Sequence, residues 1–173
     1  NKMWLSHAAS PETDETSPFA YRIRLLADQV TTLFGASVPN TLADFARASQ
    51  ISQAEAVKCF IERFRIGKWR RTGILWWNLI DCWPQFSDVV VDYYFVKKLA
   101  YSYIKRSQNS ICLMFDEPKE RKLALHAVNE FDMSVELAYK VTDLTDKKAV
   151  CTGAATAEPG MLVTIDSIPY HTG

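Results

Sequence analysis

Four tryptophans between residues 69 and 83 are the side chains best suited to chemistry in this sequence. They are Trp69, Trp76, Trp77 and Trp83, and the 173-residue chain has five tryptophans in all. An indole ring packs well in a protein core, and it also stacks on the apolar C–H face of a sugar ring. Packing is the commoner use, so a densely packed junction and a carbohydrate platform are both open at this point.

The histidines and cysteines show no spacing that is typical of a metal site. The three histidines are far apart in the chain, and no two cysteines form a Cys-x-x-Cys pair. We therefore expect no metal and no cofactor. The cysteines are expected to be free thiols, although the sequence leaves a disulfide open. These residues are His7, His126, His171, Cys59, Cys82, Cys112 and Cys151.

Charge and composition point to a globular protein without a strong electrostatic partner. Twenty basic residues balance twenty acidic ones, so no global field predicts a nucleic-acid or membrane partner. The apolar runs fall far short of the ~20 residues that a membrane span needs. The first seventeen residues are polar and do not resemble a signal peptide. We expect a soluble protein whose compartment the sequence does not define.

One basic cluster allows two interpretations. It surrounds Trp69 at the end of a predicted helix, where a helix dipole favours cations. A solvated helix end is favoured over nucleic-acid binding because the net charge is zero and no binding motif is present. The cluster consists of Arg63, Arg65, Lys68, Arg70 and Arg71.

The elements that must position the tryptophans follow from periodicity and capping residues. Ser17 and Pro18 predict the start of a helix that Gly35 ends, and Thr41 predicts the start of another that ends near Gly67. The apolar run 73–80 is short and nearly continuous, which predicts a strand buried on both faces. A further helix is predicted over 96–107, so this part reads as α/β.

After Asn109 the pattern changes to short β-rich runs. We predict strands at Ile111–Phe115, Lys122–Val128, Val135–Val141 and Met161–Ile165. The third alternates strictly between apolar and polar residues, as an antiparallel sandwich strand does. Only about sixty-five residues are available, against the ~100 of a complete immunoglobulin-like sandwich. The sandwich is therefore expected to be incomplete.

The tryptophan-rich stretch resembles a known family. From Gly73 to Tyr94 the sequence reads Gly-Ile-Leu-Trp-Trp-Asn-Leu-Ile-Asp-Cys-Trp-Pro-Gln-Phe-Ser-Asp-Val-Val-Val-Asp-Tyr-Tyr. This is similar to the last barrel strand of glycoside hydrolase family 2, and particularly to its β-mannosidase-like branch. There the motif Trp-Gln-Leu-Asn-Asp-x-Trp-Pro is followed by a Ser and by Asp-Tyr-Tyr. The upstream run Ser-Gln-Ile-Ser-Gln-Ala-Glu-Ala at 49–56 resembles the preceding helix of those enzymes.

The resemblance implies a fold class of α/β plus all-β. Residues 1–108 would be the carboxyl-terminal part of a TIM-barrel catalytic domain, including the last helix–strand–helix of the (β/α)8 barrel. Residues 109–173 would be an incomplete immunoglobulin-like β-sandwich. The chain as a whole would then be a carboxyl-terminal fragment of a larger enzyme.

The resemblance also implies an activity, namely that of a retaining exo-β-glycosidase that hydrolyses terminal β-linked sugars such as β-mannosides. Such enzymes use two carboxylates ~5–5.5 Å apart. In the family both are glutamates on earlier barrel strands, so we expect no catalytic residue in this chain and no activity from it alone. Carboxyl ends of barrel strands form the active site, which makes Trp77, Asn78, Asp81 and Trp83 the expected substrate-binding residues. Asp81 is alternatively a residue that holds the loop.

Two positions depart from the family pattern. Ile80 occupies a place where the family usually has Asn, and Phe95 follows Asp-Tyr-Tyr where a Gly is common. Phe tolerates a left-handed backbone poorly, so the turn at Phe95 is expected to differ from that of the family. Both departures weaken any transfer of sugar preference.

Other readings of the same residues remain open. The chain could be a non-catalytic carbohydrate-binding or interaction module that retained the tryptophans, or a helical adaptor. Trp76 is expected to pack against the helices, on the opposite face of the strand from Trp77. A lone barrel strand leaves its backbone edges unpaired, so the isolated chain is expected to self-associate.

Overall fold

The computed structural model describes residues 21–170 and divides them into two compact units. The first unit holds residues 21–60 and Ile74–Lys105, and the second holds Ile61–Gly73 and Arg106–170. The sequence predicts a boundary at 108–109, and the division lies close to it, except that residues 61–73 join the second unit. The predicted helix start at Ser17 and Pro18 lies outside the described residues.

Helices dominate the first unit. Helix α1 spans Tyr21–Phe34, helix α2 spans Leu42–Ile66 and helix α3 spans Leu99–Ser107. The last turn of α2, from Ile61 on, belongs to the second unit, as do the final two residues of α3. No helix within residues 21–170 combines the length and the hydropathy that a bilayer span requires.

Two of the predicted helix-end residues, Thr41 and Gly35, are confirmed. Thr41 Oγ1 accepts the Asp44 amide at 3.1 Å and donates to the Asp44 carboxylate at 2.6 Å, which closes the amino-terminal turn of α2. Gly35 has a positive φ of 60° and donates its amide to the Thr31 carbonyl, so α1 ends where the sequence predicts. Gly67 follows the last residue of α2.

The predicted buried strand at 73–80 does not form, and this prediction was wrong for the chain described here. Its backbone bends at residues 77 and 79, and the only bridge that the structure describes within it is a parallel one between Ile80 and Val91. Leu75 is 99% exposed and Leu79 is 58% exposed. A strand of a parallel sheet needs a partner at each edge and cover on both faces, and the described residues supply neither.

The helix predicted from residue 96 begins three residues later. Lys97 forms an antiparallel bridge with Val91, so residues 96–98 are held in an extended conformation before α3 starts at Leu99. The local apolar spacing did not reveal this bridge because it depends on a partner six residues upstream.

The second unit contains two antiparallel sheets. Strands β1 (Ile111–Phe115), β2 (Lys122–Asn129) and β5 (Leu162–Pro169) form a three-stranded sheet in the order β1-β2-β5. Strands β3 (Val135–Thr142) and β4 (Ala149–Ala157) form a two-stranded sheet. The four predicted strands are all present, and β4 is the one that the sequence analysis missed.

Strand β4 escaped prediction because small residues dominate it. Its sequence, Ala-Val-Cys-Thr-Gly-Ala-Ala-Thr-Ala, contains few of the β-branched and aromatic residues that are typical of strands. Pairing with β3 nevertheless places Gly153 opposite Tyr139. The small residue there leaves room for the tyrosine ring, so β4 is defined by its neighbour rather than by its own propensity.

Each unit has its own buried apolar residues. In the first unit they are Val30, Ala48, Ala54, Val89, Val90, Ala100 and Ile104. In the second they are Ile61, Met114, Leu125, Ala127, Val128 and Ala157. Burial of β2 is deepest toward its carboxyl end, where five consecutive residues are buried, as in a strand covered on both faces.

The basic cluster near Trp69 makes ion pairs within the second unit. Arg63 contacts the Asp116 carboxylate at 2.8 Å, and Lys68 contacts the Glu130 carboxylate at 2.8 Å. Arg65 donates to the carbonyls of Ser107 and Asn109. These contacts attach the end of α2 to the segments around the three-stranded sheet.

Candidate functional site

The stretch with the predicted sugar-binding tryptophan is largely open to solvent. Trp77 is 83% exposed, whereas Trp76 is half-buried, so the two neighbouring rings differ in their access to solvent. The peptide bond between Trp77 and Asn78 is cis. The Asn78 side-chain oxygen accepts the Leu79 amide at 2.7 Å, which fixes the amide group locally.

Asp81 lies at the start of the following loop and is buried. Its side chain accepts one hydrogen bond from Gln85 Nε2 at 2.7 Å and one from Ser87 Oγ at 2.9 Å. The residue is only 5% exposed. A buried carboxylate is stabilised by such donors, and both oxygens are already engaged within the loop. These contacts favour the loop-holding alternative for Asp81.

Trp83 lies in the loop that the hydrogen bond between Gln85 and Asp81 stabilises. Gln85 and Asp81 are four residues apart and directly hydrogen-bonded, so Trp83 and Pro84 lie on a closed turn. Pro84 is fully buried, while Trp83 is 47% exposed. The loop therefore has a buried anchor and an aromatic residue that remains partly accessible.

A second turn follows, built around Asp92. One oxygen of its carboxylate accepts the amides of Tyr94 and Val96, each at 2.9 Å. Phe95 adopts a φ of 63°, so the left-handed conformation is present even though the residue is not glycine. The hydrogen bonds of Asp92 account for this, because they define the turn independently of the residue at position 95.

Two glutamines of α2 hold the ends of the loop. Gln53 Nε2 donates to the carbonyls of Asp88 and Val89. Gln50 Oε1 accepts the Leu99 amide at 3.0 Å, which satisfies a free donor at the start of α3. The sequence analysis did not single out these residues as functional, although both stand in the 49–56 motif.

Lys98 is a further residue that the sequence analysis missed as part of the site. Its ammonium donates to the Ser87 carbonyl at 2.8 Å. Burial lowers the pKa of the Lys98 side chain from its ordinary value. Asp81, Asp88 and Asp92 oppose that shift because their negative charges stabilise the cation. Lys98 lies outside the two stretches, 49–56 and 73–94, that carry the resemblance.

A cleft of about 940 Å³ lies within the first unit, between α1, α2 and the loop segment 81–98. Asp81 lines it together with Tyr93 and Tyr94, whose rings meet edge to face. Trp77, Asn78 and Trp83 are not among its lining residues. The structure therefore places Asp81 in the cleft and the two tryptophans at solvent-exposed positions outside it.

The chemistry available to these residues is that of binding. Exposed indole rings can stack on apolar sugar faces, and the buried groups beneath them serve to hold the loop. In the described part of the chain, no group of three or more His, Cys, Asp or Glu side chains is placed to hold a metal ion. All four cysteines are free thiols.

The chain is similar to known glycosidases in both sequence and fold. It is 35% identical over 83 residues to β-mannosidase B of Thermothelomyces thermophilus. The aligned region covers 43% of this chain and 9% of that protein. Its fold matches the β-D-mannosidase of Dictyoglomus thermophilum with a TM-score of 0.80, at 22% identity over 88% of this chain and 19% of that one. No protein-family model matches.

A second fold match is the exo-chitosanase CsxA of Amycolatopsis orientalis. The TM-score is 0.73 at 21% identity, over 99% of this chain and 21% of that chain. This chain thus spans between a tenth and a fifth of the length of these relatives. The similarity predicted from the tryptophan-rich motif is confirmed: this chain is like a segment of the glycoside hydrolases of family 2.

Proposed function

We propose that this chain is the carboxyl-terminal part of a retaining exo-β-glycosidase, with terminal β-mannosides as its substrates. The observation that carries the proposal is the 35% identity to β-mannosidase B, joined to a fold similarity with a β-D-mannosidase. The exo-chitosanase match supports exo-β-glycosidase activity of the parent protein more broadly than mannoside preference.

In this proposal the segment 73–80 becomes the last strand of the catalytic barrel. Its alternation of an exposed Trp77 with a half-buried Trp76 supports the assignment, since a barrel strand presents successive side chains to opposite faces. The two antiparallel sheets over 111–169 support the immunoglobulin-like sandwich. Missing neighbours explain why the strand lacks partners in the chain described here.

The mechanism assigns the chemistry to residues outside this chain. A retaining glycosidase needs a nucleophile and an acid–base carboxylate ~5–5.5 Å apart. Asp81 is poorly suited to either role because both of its oxygens are engaged by Gln85 and Ser87. Trp77 would form an apolar floor beneath the sugar, Asn78 and Trp83 would contact its edge, and Asp81 would hold the loop that carries Trp83.

The test is to read the gene upstream of the codon for Asn1 and to express the longer product. We expect a continuous frame with an Asn-Glu pair and a later strand-borne Glu, and a product that hydrolyses aryl β-mannosides. Glu→Gln at either position should abolish hydrolysis, whereas the 173-residue chain alone should show none. A longer product that cleaves no aryl β-glycoside would contradict the proposal.

A second candidate function is non-catalytic sugar binding. The exposure of Trp77 and Trp83 supports it, because both rings are accessible without any further domain. It predicts quenching of tryptophan fluorescence by mannose or mannobiose that W77A removes. Trp69 is 73% exposed in the other unit, so W69A is the matched control and should retain the sugar response. Hydrolysis by the full-length product would reject this candidate.

The proposal also accounts for the expected self-association of the isolated chain. Leu75, Trp77 and Leu79 are exposed, and among the described residues the backbone of this segment is bridged only near Leu79 and Ile80. Its remaining backbone groups are a template for pairing with a second copy. Sedimentation at tens of micromolar should show dimers or larger species, and L75K together with L79K should shift them to monomers. A wild-type chain that sediments as a compact monomer would contradict this.

A further inference from the structure

Lys98 holds the tryptophan-bearing loop at two points. Its ammonium donates to the Ser87 carbonyl at 2.8 Å, and its backbone amide donates to the Val90 carbonyl at 2.9 Å. Val90 is buried. The residue immediately before α3 thus holds both ends of the four-residue stretch 87–90, which begins two residues after the turn 81–85 that contains Trp83.

Lys98 is the cation that faces three neighbouring carboxylates. Asp81, Asp88 and Asp92 all exert their charge on this ammonium. Asp81 is nearly fully buried, and a buried carboxylate depends on nearby donors and counter-charges. The neighbouring Lys97, by contrast, is exposed, and its ammonium lies 4.6 Å from the ring centre of Tyr101.

We propose that Lys98 is a positioning residue: together with Asp81 it holds the 81–90 loop in the conformation that presents Trp83 to the sugar. Lys98 acts through Ser87, and Asp81 acts through Gln85 and Ser87, on the two sides of the Trp83 turn. The sugar contact of Trp83 rests on the proposed function, whereas the loop-holding role does not.

Amide hydrogen exchange of the 173-residue chain, read by NMR, tests the loop-holding role without any sugar. The reporters are the amides of Asp81 and Val91, which donate to the carbonyls of Val91 and Leu79. K98M should accelerate their exchange by about tenfold or more, the factor expected for loss of one charge-assisted hydrogen bond. K97M is the matched control and should exchange at wild-type rates, and K98R should restore protection.

Three results would overturn the proposal. One is unchanged exchange at Asp81 and Val91 in K98M, the second is equal acceleration by K97M, and the third is acceleration of α1 amides by the same factor. If K98M does not fold, D81N is the second variant. It removes one counter-charge while retaining the shape of Asp81, and wild-type exchange in D81N would also overturn the proposal.

A kinetic experiment on the longer, active product separates this inference from the proposed function. K98M should raise KM for an aryl β-mannoside several-fold more than it lowers kcat, because a displaced Trp83 weakens sugar binding. An equal KM in K98M and wild type would overturn the positioning role. A product without hydrolytic activity would instead reject the proposed function, and the exchange experiment would still decide the role of Lys98.

Discussion

Gly153 occupies a position in β4 that admits no side chain. A Cβ atom there would lie 2.4 Å from Tyr139 Oη and 2.6 Å from Tyr139 Cζ. The tyrosine ring cannot simply move away, because its hydroxyl lies 3.2 Å from the Ile165 carbonyl and 3.1 Å from the Asp166 carboxylate. We therefore expect Gly153→Ala to destabilise the two-stranded sheet.

The size of this effect follows from two opposing contributions. Overpacking of this severity costs about 1–3 kcal/mol. Replacing a strand glycine by alanine otherwise gains roughly 0.5–1 kcal/mol, because the unfolded chain loses conformational freedom. The midpoints of these two ranges leave an expected net loss of about 1 kcal/mol in the free energy of unfolding. Without the clash with Tyr139, the same substitution would be neutral or stabilising.

The assay is hydrogen exchange of the β3 and β4 amides, which reports the local opening free energy of that sheet. Gly73→Ala is the matched control in the same unit, because Gly73 has nothing within 4 Å of an added Cβ. In a Tyr139→Leu background, the cost of Gly153→Ala should largely disappear. A cost below about 0.5 kcal/mol, or an equal cost in both backgrounds, would refute the steric reasoning.

Three further predictions concern single residues. Phe95→Gly should raise the free energy of unfolding of the first unit by about 1 kcal/mol in urea unfolding, because Phe95 is 77% exposed in a left-handed turn. The control Phe95→Ala retains the Cβ atom and should not raise that free energy. Burial lowers the pKa of His126, so the fold disfavours the protonated form and the side chain protonates more readily when the chain is unfolded. Stability should therefore fall as the pH drops below about 6.5, the ordinary histidine pKa, and His126→Gln should flatten that dependence; equal slopes would contradict it. Thr41→Ala should cost about 1 kcal/mol through loss of the α2 cap, and Thr41→Ser should retain most of the stability; an unchanged unfolding midpoint in Thr41→Ala would count against the cap.

Local residue chemistry was sufficient to predict most of the helix and strand bounds. The Thr41 cap and the glycines at 35 and 67 mark where helices begin or end, because capping depends on residues within one turn. Strand β3 could also be predicted from local sequence. Its residues from Val135 to Val141 alternate between apolar and polar types, as expected for a strand with one buried face. These features require no information about distant parts of the chain.

The candidate site was predictable only in part. The tryptophan-rich motif predicted the similarity to glycosidases, which is confirmed, whereas the sugar-binding roles of Trp77, Asn78, Asp81 and Trp83 stay a prediction. The roles of Gln50, Gln53 and Lys98 were not predictable, because each acts on a backbone group that is distant in sequence or hidden in a loop. The burial of Asp81 could not be predicted from the sequence either, because the loop around it has no periodic pattern.

The sequence by itself therefore determined the carboxyl end of α1, both ends of α2, four of the five strands in the described residues and the resemblance to family 2 glycoside hydrolases. All of these depend on short-range patterns. Tertiary structure alone decided the fate of the 73–80 segment and of β4. An apolar run becomes a strand only when other strands satisfy its backbone. The segment 73–80 makes only the single bridge from Ile80 to Val91, whereas the weaker β4 sequence pairs with β3 along its length. The availability of backbone hydrogen-bonding partners, rather than intrinsic β propensity, decided which of the two segments became a strand.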